Sequence, residues 1–211
     1  MPIFFQQDMD SHTRLAVWKI EEGEQFFLRS VPLQQDISHP HKRLQHLAGR
    51  YLLRYLYPSF PVDLIRVADT RKPFLEDEAF HFSISHCGDF AAVIVSTANR
   101  VGVDIERVSD KTERIRHKFM TPEEEALLKF PQAAAAATLL WSVKESVFKW
   151  YGAGGIDFRG HIQLEAIRET SSDLFLSQVR FTKNEDRLLE LHSRLFSGLC
   201  LSHVSTSVSG E

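Results

Sequence analysis

The chain has 211 residues, 43% of them hydrophobic and 25% charged, with a formal net charge of −3. These figures describe a folded globular protein of one large or two small domains and exclude a disordered chain. They also exclude an overall basic field for nucleic acid, so an anionic ligand has to be held by a local cluster of cations. Cys87 and Cys200 form neither a metal-ligand spacing nor a disulfide framework, which fits a reducing, cytoplasmic setting. The first eleven residues carry Asp8 and Asp10 and no long apolar run, so neither a signal peptide nor a membrane span is expected. The Ser-rich end, 202–211, is expected to fray.

In chain order, residues 3–20 hold two short apolar stretches that read as strands, and 26–33 a weaker strand or turn region. Residues 41–57 read as a helix, because Leu44, Leu47, Ala48, Tyr51, Leu52 and Tyr55 recur at helical spacing, and Pro58 and Pro61 end it. Short strands are expected at 64–67, 80–85, 90–96 and 101–106, with Lys72 and Pro73 in a turn. Thr121 is placed as an N-cap, with Pro122 at the first helical position and Glu124 three residues after the cap. A further helix is expected from about 138 to 150, preceded by the Ala-rich run 133–137 and stopped by Gly152, Gly154 and Gly155. Four more strands follow at 162–167, 174–181, 188–195 and 199–204. The expected architecture is α+β, with two similar α+β subdomains, 1–100 and 101–211.

Three segments carry chemistry. In Val101-Gly102-Val103-Asp104-Ile105-Glu106, strand alternation puts Asp104 and Glu106 on one face. Two carboxylates there form either a solvated face or half of a cation site. In Trp141-Ser142-Val143-Lys144-Glu145-Ser146-Val147-Phe148-Lys149, helical spacing puts Trp141, Glu145 and Lys149 on one stripe, with Lys144 about 100° around the helix. Asp104, Glu106 and Glu145 together offer three carboxylates, which suits Mg²⁺, and Lys144 and Lys149 suit a phosphate beside it. The third segment, Phe82-Ser83-Ile84-Ser85-His86-Cys87-Gly88, ends a strand on a hydroxyl and an imidazole. No Ser-His-Asp order or nucleophile elbow accompanies it, so a hydrolase triad is rejected.

The ordered set Lys72-Pro73, Phe82 to His86, Gly102 to Glu106 and Trp141 to Lys149 resembles the 4′-phosphopantetheinyl transferase superfamily, and the chain length resembles its surfactin-type, two-half, monomeric branch. The resemblance implies two subdomains in pseudo-two-fold arrangement with the active site at their interface. It implies transfer of the 4′-phosphopantetheine of coenzyme A to a serine of an apo acyl or peptidyl carrier protein, releasing 3′,5′-adenosine bisphosphate. Asp104, Glu106 and Glu145 would hold Mg²⁺, Lys149 would act on the leaving phosphate, and Glu123 would serve as base on the carrier serine. Arg43, Arg50, Lys72, Pro73, Ser85, His86 and Lys144 would bind the coenzyme. Gln45 stands where some members of this branch carry a basic residue, which leaves the ligands of the 3′-phosphate open, with His41 or His46 as substitutes. The strip of Lys111, Arg114, Arg116, His117 and Lys118 beside Phe119 and Met120 would seat an acidic carrier helix. The alternative is a non-catalytic coenzyme A or carrier-binding protein. A Mg²⁺-dependent nuclease would leave the Ser-His and Lys-Pro elements without a purpose.

Overall fold

A computed structural model describes residues 3–33, 36–196 and 198–208. The chain separates into two compact units, one running to Val101 and taking in the chain after Thr206, the other Gly102–Thr206. Each combines an antiparallel sheet with one long helix, the α+β class expected. Among the described residues no helix is long and apolar enough to cross a membrane.

In the first unit, strands β1 (Ile3–Asp8), β2 (Thr13–Lys19), β5 (His81–Cys87) and β6 (Phe90–Ser96) form a sheet in the order β1-β2-β6-β5. Two-residue strands β3 (Arg66–Val67) and β4 (Pro73–Phe74) make a separate ribbon. Pro73 therefore leads into a strand, where a turn was expected. Helix α2 (Pro40–Leu56) packs on the sheet through Leu47, Ala48, Leu52, Leu53 and Leu56. Burying one such leucine side chain contributes about 1.5–3 kcal/mol. His39 caps the helix by accepting the Lys42 N–H, and Pro40 takes the first turn, where no N–H is needed. The region 26–33 differs from expectation. Glu24–Leu28 is a short helix, α1, with Phe27 buried against Trp18 and Tyr51.

In the second unit, β7 (Asn99–Arg107, entering from the first), β8 (Ile162–Ser171), β9 (Leu174–Phe181), β10 (Arg187–Phe196) and β11 (Leu199–Ser207) form a sheet in the order β7-β11-β10-β9-β8. β11 runs on to Ser207, so the expected fraying does not begin at Ser202; 209–211 lie outside the described residues. Two short helices, α3 (Asp110–Arg114) and α4 (Pro122–Leu127), precede α5 (Ala133–Tyr151). The alanine run belongs to α5, as its helix propensity favours. Gly152 ends the helix at φ 78°, a left-handed conformation that costs glycine little. Val143, Val147 and Trp150 pack with Phe181, Leu191 and Val204 in the core.

One core histidine makes this unit acid-sensitive. His203 pairs across the strands with His192, the rings stacked at 5.5 Å, and its buried Nδ1 has no hydrogen-bond partner among the described residues. Burial, then His192, pushes its pKa down to about 3. The unfolded chain takes up this proton near its ordinary pKa of about 6.5, so stability is lost as pH falls from there toward 3, by on the order of 4 kcal/mol. Urea midpoints measured across that range are expected to fall less steeply in His203→Phe than in the wild type.

Candidate functional site

The carboxylates of the second unit meet because a glycine lets helix and strand approach. A Cβ on Gly102 of β7 would lie 2.1 Å from the Ser146 carbonyl oxygen and 2.7 Å from the Trp150 nitrogen, both backbone atoms of α5. Small residues continue the seam. Ser146 Oγ lies 2.9 Å from the carbonyl oxygens of both Ser142 and Ser202, which share its one O–H, and Ser142 Oγ donates to the Asp104 carbonyl at 3.4 Å.

At this crossing Asp104 is 2% exposed and Glu106 half-buried. Lys149 Nζ lies 2.6 Å from Asp104 Oδ1. The Glu145 carboxyl is pushed up to about 7, first by burial and then by Asp104 and Glu106, against the opposing pull of Lys149. The acids are thus near enough to feel one another's charge. Among the described residues no three His, Cys, Asp or Glu side chains already stand as a metal-ligand set. The chemistry of the donors nonetheless fits a hard divalent cation: oxygens only, buried or half-buried, and mutually repulsive until a cation or proton intervenes.

Lys144 departs from expectation. It is fully buried, with Nζ 2.6 Å from Glu124 Oε1 and donating to the carbonyls of Phe119 and Phe158. It is not available to a phosphate. Glu123 departs as well. It is exposed at the start of α4, and its carboxyl accepts its own backbone N–H and the Thr121 hydroxyl, which hold its pKa below the ordinary value. A base for a serine hydroxyl works best with a pKa near the operating pH, so this environment does not favour the role. The next residue, Glu124, is the one turned inward. The capping box was legible in the sequence, and its inward-reaching carboxylate was the signal for burial. In the basic strip, Lys111, Arg114, His117 and Lys118 are exposed, while Arg116 is close to Glu113 and Glu125. Phe119 and Met120 are core residues at 0% and 6% exposure, so the apolar half of the expected docking strip is not on the surface.

In the first unit, a close approach of Gly49 to Ile84 seats α2 on β5. Arg50 is 7% exposed and donates to His46 Nδ1 at 3.1 Å. Its Nε is buried with no hydrogen-bond partner, and no carboxylate pairs with Arg50 among the described residues. Burial lowers the guanidinium pKa to about 10 and is the main reason that of His46 falls to about 4, with Arg50 and then exposed His86 adding to the effect. A buried, uncompensated cation is costly, and an anion would relieve it. Arg43 is different: its Nε lies 2.9 Å from Glu24 Oε1 and it donates to the Ile37 carbonyl, so its charge is already met. Gln45 donates to the Gly88 carbonyl at 2.8 Å, and His41 lies 3.0 Å from the same oxygen; both tie α2 to the turn after His86. Ser85 is buried in β5, two positions along from Ser83. Lys72 is half-buried, and burial followed by Arg100 lowers its pKa to about 8.

Comparison with known proteins bears on the second unit above all. The family described as the 4′-phosphopantetheinyl transferase superfamily matches residues 100–201. The chain is 38% identical over 117 residues to enterobactin synthase component D of Escherichia coli K12, covering 51% of this chain and 54% of that protein. It is 29% identical over 139 residues to 4′-phosphopantetheinyl transferase gsp of Aneurinibacillus migulanus, covering 64% and 56%. It is 32% identical over 117 residues to 4′-phosphopantetheinyl transferase psf-1 of Bacillus pumilus, covering 51% and 50%. The matched stretch spans about half the length of each of these relatives.

Proposed function

We propose that this chain, whose residues 100–201 match the 4′-phosphopantetheinyl transferase superfamily, transfers phosphopantetheine from coenzyme A to the serine of an apo acyl or peptidyl carrier protein. The observation that carries the reading is the gathering of Asp104, Glu106, Glu145 and Lys149 where β7 and α5 cross, inside the matched region. In the reaction the serine oxygen forms a bond to the β-phosphorus and the pyrophosphate bond breaks, releasing 3′,5′-adenosine bisphosphate. The three carboxylates would hold Mg²⁺, which when bound offsets the charge of the pyrophosphate oxygens. Lys149, now on Asp104, is within the same cluster and would donate a hydrogen bond or proton to the departing phosphate. The exposed cations Lys111, Arg114 and Lys118 would steer an acidic carrier. Lys72, Pro73, Ser85 and His86 would line the coenzyme. The protein would act as a cytoplasmic monomer, with neither Cys87 nor Cys200 in a disulfide among the described residues.

Arg50 would receive the coenzyme's 3′-phosphate. Arg50→Gln is expected to weaken coenzyme A binding roughly 10- to 100-fold, the loss of a charged hydrogen bond or two, and to leave dephospho-coenzyme A binding nearly unchanged. Calorimetry with both ligands checks this. The function itself is tested by incubating the purified chain with coenzyme A, Mg²⁺ and an apo carrier protein. A mass gain of one phosphopantetheine on the carrier is expected. Binding of coenzyme A without transfer would identify a non-catalytic binder instead.

A further inference from the structure

Lys144 is the immediate neighbour of Glu145 on α5, yet its charge is turned into the protein. Its side chain is 0% exposed. Nζ lies 2.6 Å from Glu124 Oε1 and donates to the carbonyls of Phe119 and Phe158 at 2.7 and 2.8 Å. An ammonium has three N–H bonds, and each here has its acceptor. Glu124 is equally sequestered. Its Oε1 also accepts the Leu164 N–H at 2.9 Å, and its Oε2 the Thr121 N–H at 2.8 Å. Five pieces of chain converge on this one neutral pair: the turn 119–121, α4, α5, the segment after α5, and β8. A buried ion pair adds little net stability over apolar side chains of similar volume. What it does add is direction, because every donor and acceptor fixes where its segment sits.

What it fixes adjoins the acid cluster. Phe158, whose carbonyl Lys144 holds, stacks its ring on Trp141 at 5.4 Å and lies 5.8 Å from Phe148. Trp141, Glu145, Phe148 and Lys149 are the partly exposed stripe of α5. The chain from α5 to Phe158 passes through Gly152, Gly154 and Gly155, all at positive φ, and so has few side chains of its own to anchor it. We propose that Lys144 and Glu124 are a positioning pair for the transfer reaction. They hold the Phe158 segment and the start of α4 against the stripe that carries Glu145 and Lys149, and neither touches coenzyme A or the carrier serine.

The kinetic part of this inference rests on the transferase reading; the structural part does not. The variants are Lys144→Met and the double variant Lys144→Met with Glu124→Met. The double variant leaves no buried charge unpaired and keeps the test open where the single one fails to fold. Hydrogen exchange is expected to quicken in 119–124 and 153–161 while β9 and β10 stay protected. The kcat is expected to fall roughly 10- to 100-fold, as it does when groups supporting a reactive site are removed, with the coenzyme A dissociation constant within about threefold of wild type. Lys144→Arg keeps the charge but not the compact three-way geometry, and it is expected not to restore kcat. A coenzyme A affinity lowered more than about tenfold would make Lys144 a phosphate ligand and overturn the proposal. So would wild-type exchange or wild-type kcat in the double variant, or loss of protection throughout the sheet. A wild-type protein that transfers nothing would sink the function, and the exchange pattern would still decide the positioning role.

Discussion

Asp104→Asn and Asp104→Ala are expected to reduce transfer by at least about a thousandfold while changing coenzyme A affinity by less than about tenfold. The side chain is 2% exposed, so its charge is not there for solubility. It holds Lys149 at 2.6 Å and raises the Glu145 pKa more than Glu106 does. Removing it has two consequences that lower transfer and one that eases folding. The proposed cation site would lose one of its oxygens. Lys149 loses the acceptor that places it. Glu145 loses a repelling neighbour, so its pKa moves back toward the ordinary carboxylate range. Folding should suffer less than catalysis, because the lost pairing is partly offset by relief of repulsion among the acids. Single-turnover transfer assays beside thermal melts check the separation. A folded Asp104→Asn protein with near wild-type turnover contradicts the assignment.

Gly102→Ala is expected to damage both fold and activity. The added methyl would meet the Ser146 carbonyl oxygen at 2.1 Å and the Trp150 nitrogen at 2.7 Å. Neither is the tip of a side chain that can swing away, so α5 has to retreat from β7. Overpacking of this kind costs about 1–3 kcal/mol or more, and in a chain of this size each kcal/mol lowers Tm by about 2–4 °C. The catalytic loss should exceed what the melting shift explains. The helix that retreats carries Glu145 and Lys149 away from Asp104, and a misplacement of about 1 Å can cost roughly a hundredfold in rate. Circular dichroism melts and transfer assays at a temperature where the variant is folded separate the two effects. Unchanged Tm and turnover would show that the helix–strand contact does not set the site.

Much of this was legible in the sequence because it follows from short-range rules. The α2 leucines, the Thr121–Glu124 capping box and the Gly152 stop are fixed by local spacing and backbone conformation, and the structure has all three. The short helix α1 was not legible. It spans only five residues after Gly23, which offers no side-chain cap, so no helical repeat or start signal could be read. Partner choice was also beyond spacing. Arg43 and Arg50 share a helical face seven residues apart, yet Glu24 neutralises the first and, among the described residues, no carboxylate pairs with the second. Lys144 and Lys149 flank the same glutamate, but only tertiary packing shows that one is enclosed by Glu124 and two carbonyls while the other reaches Asp104. Phe119 and Met120 likewise read either as part of a docking strip or as core anchors, and the packing around them decides for the core.

The central claim, that Asp104, Glu106 and Glu145 jointly hold one divalent ion, is tested most directly by titrating Mn²⁺ into the protein with coenzyme A present and following free ion by electron paramagnetic resonance. One bound ion per chain is expected in the wild type, with affinity weakened at least roughly tenfold in each of Asp104→Asn, Glu106→Gln and Glu145→Gln, since each removes one hard oxygen ligand. A wild-type chain that binds no ion, or three variants that bind it as the wild type does, would contradict the account.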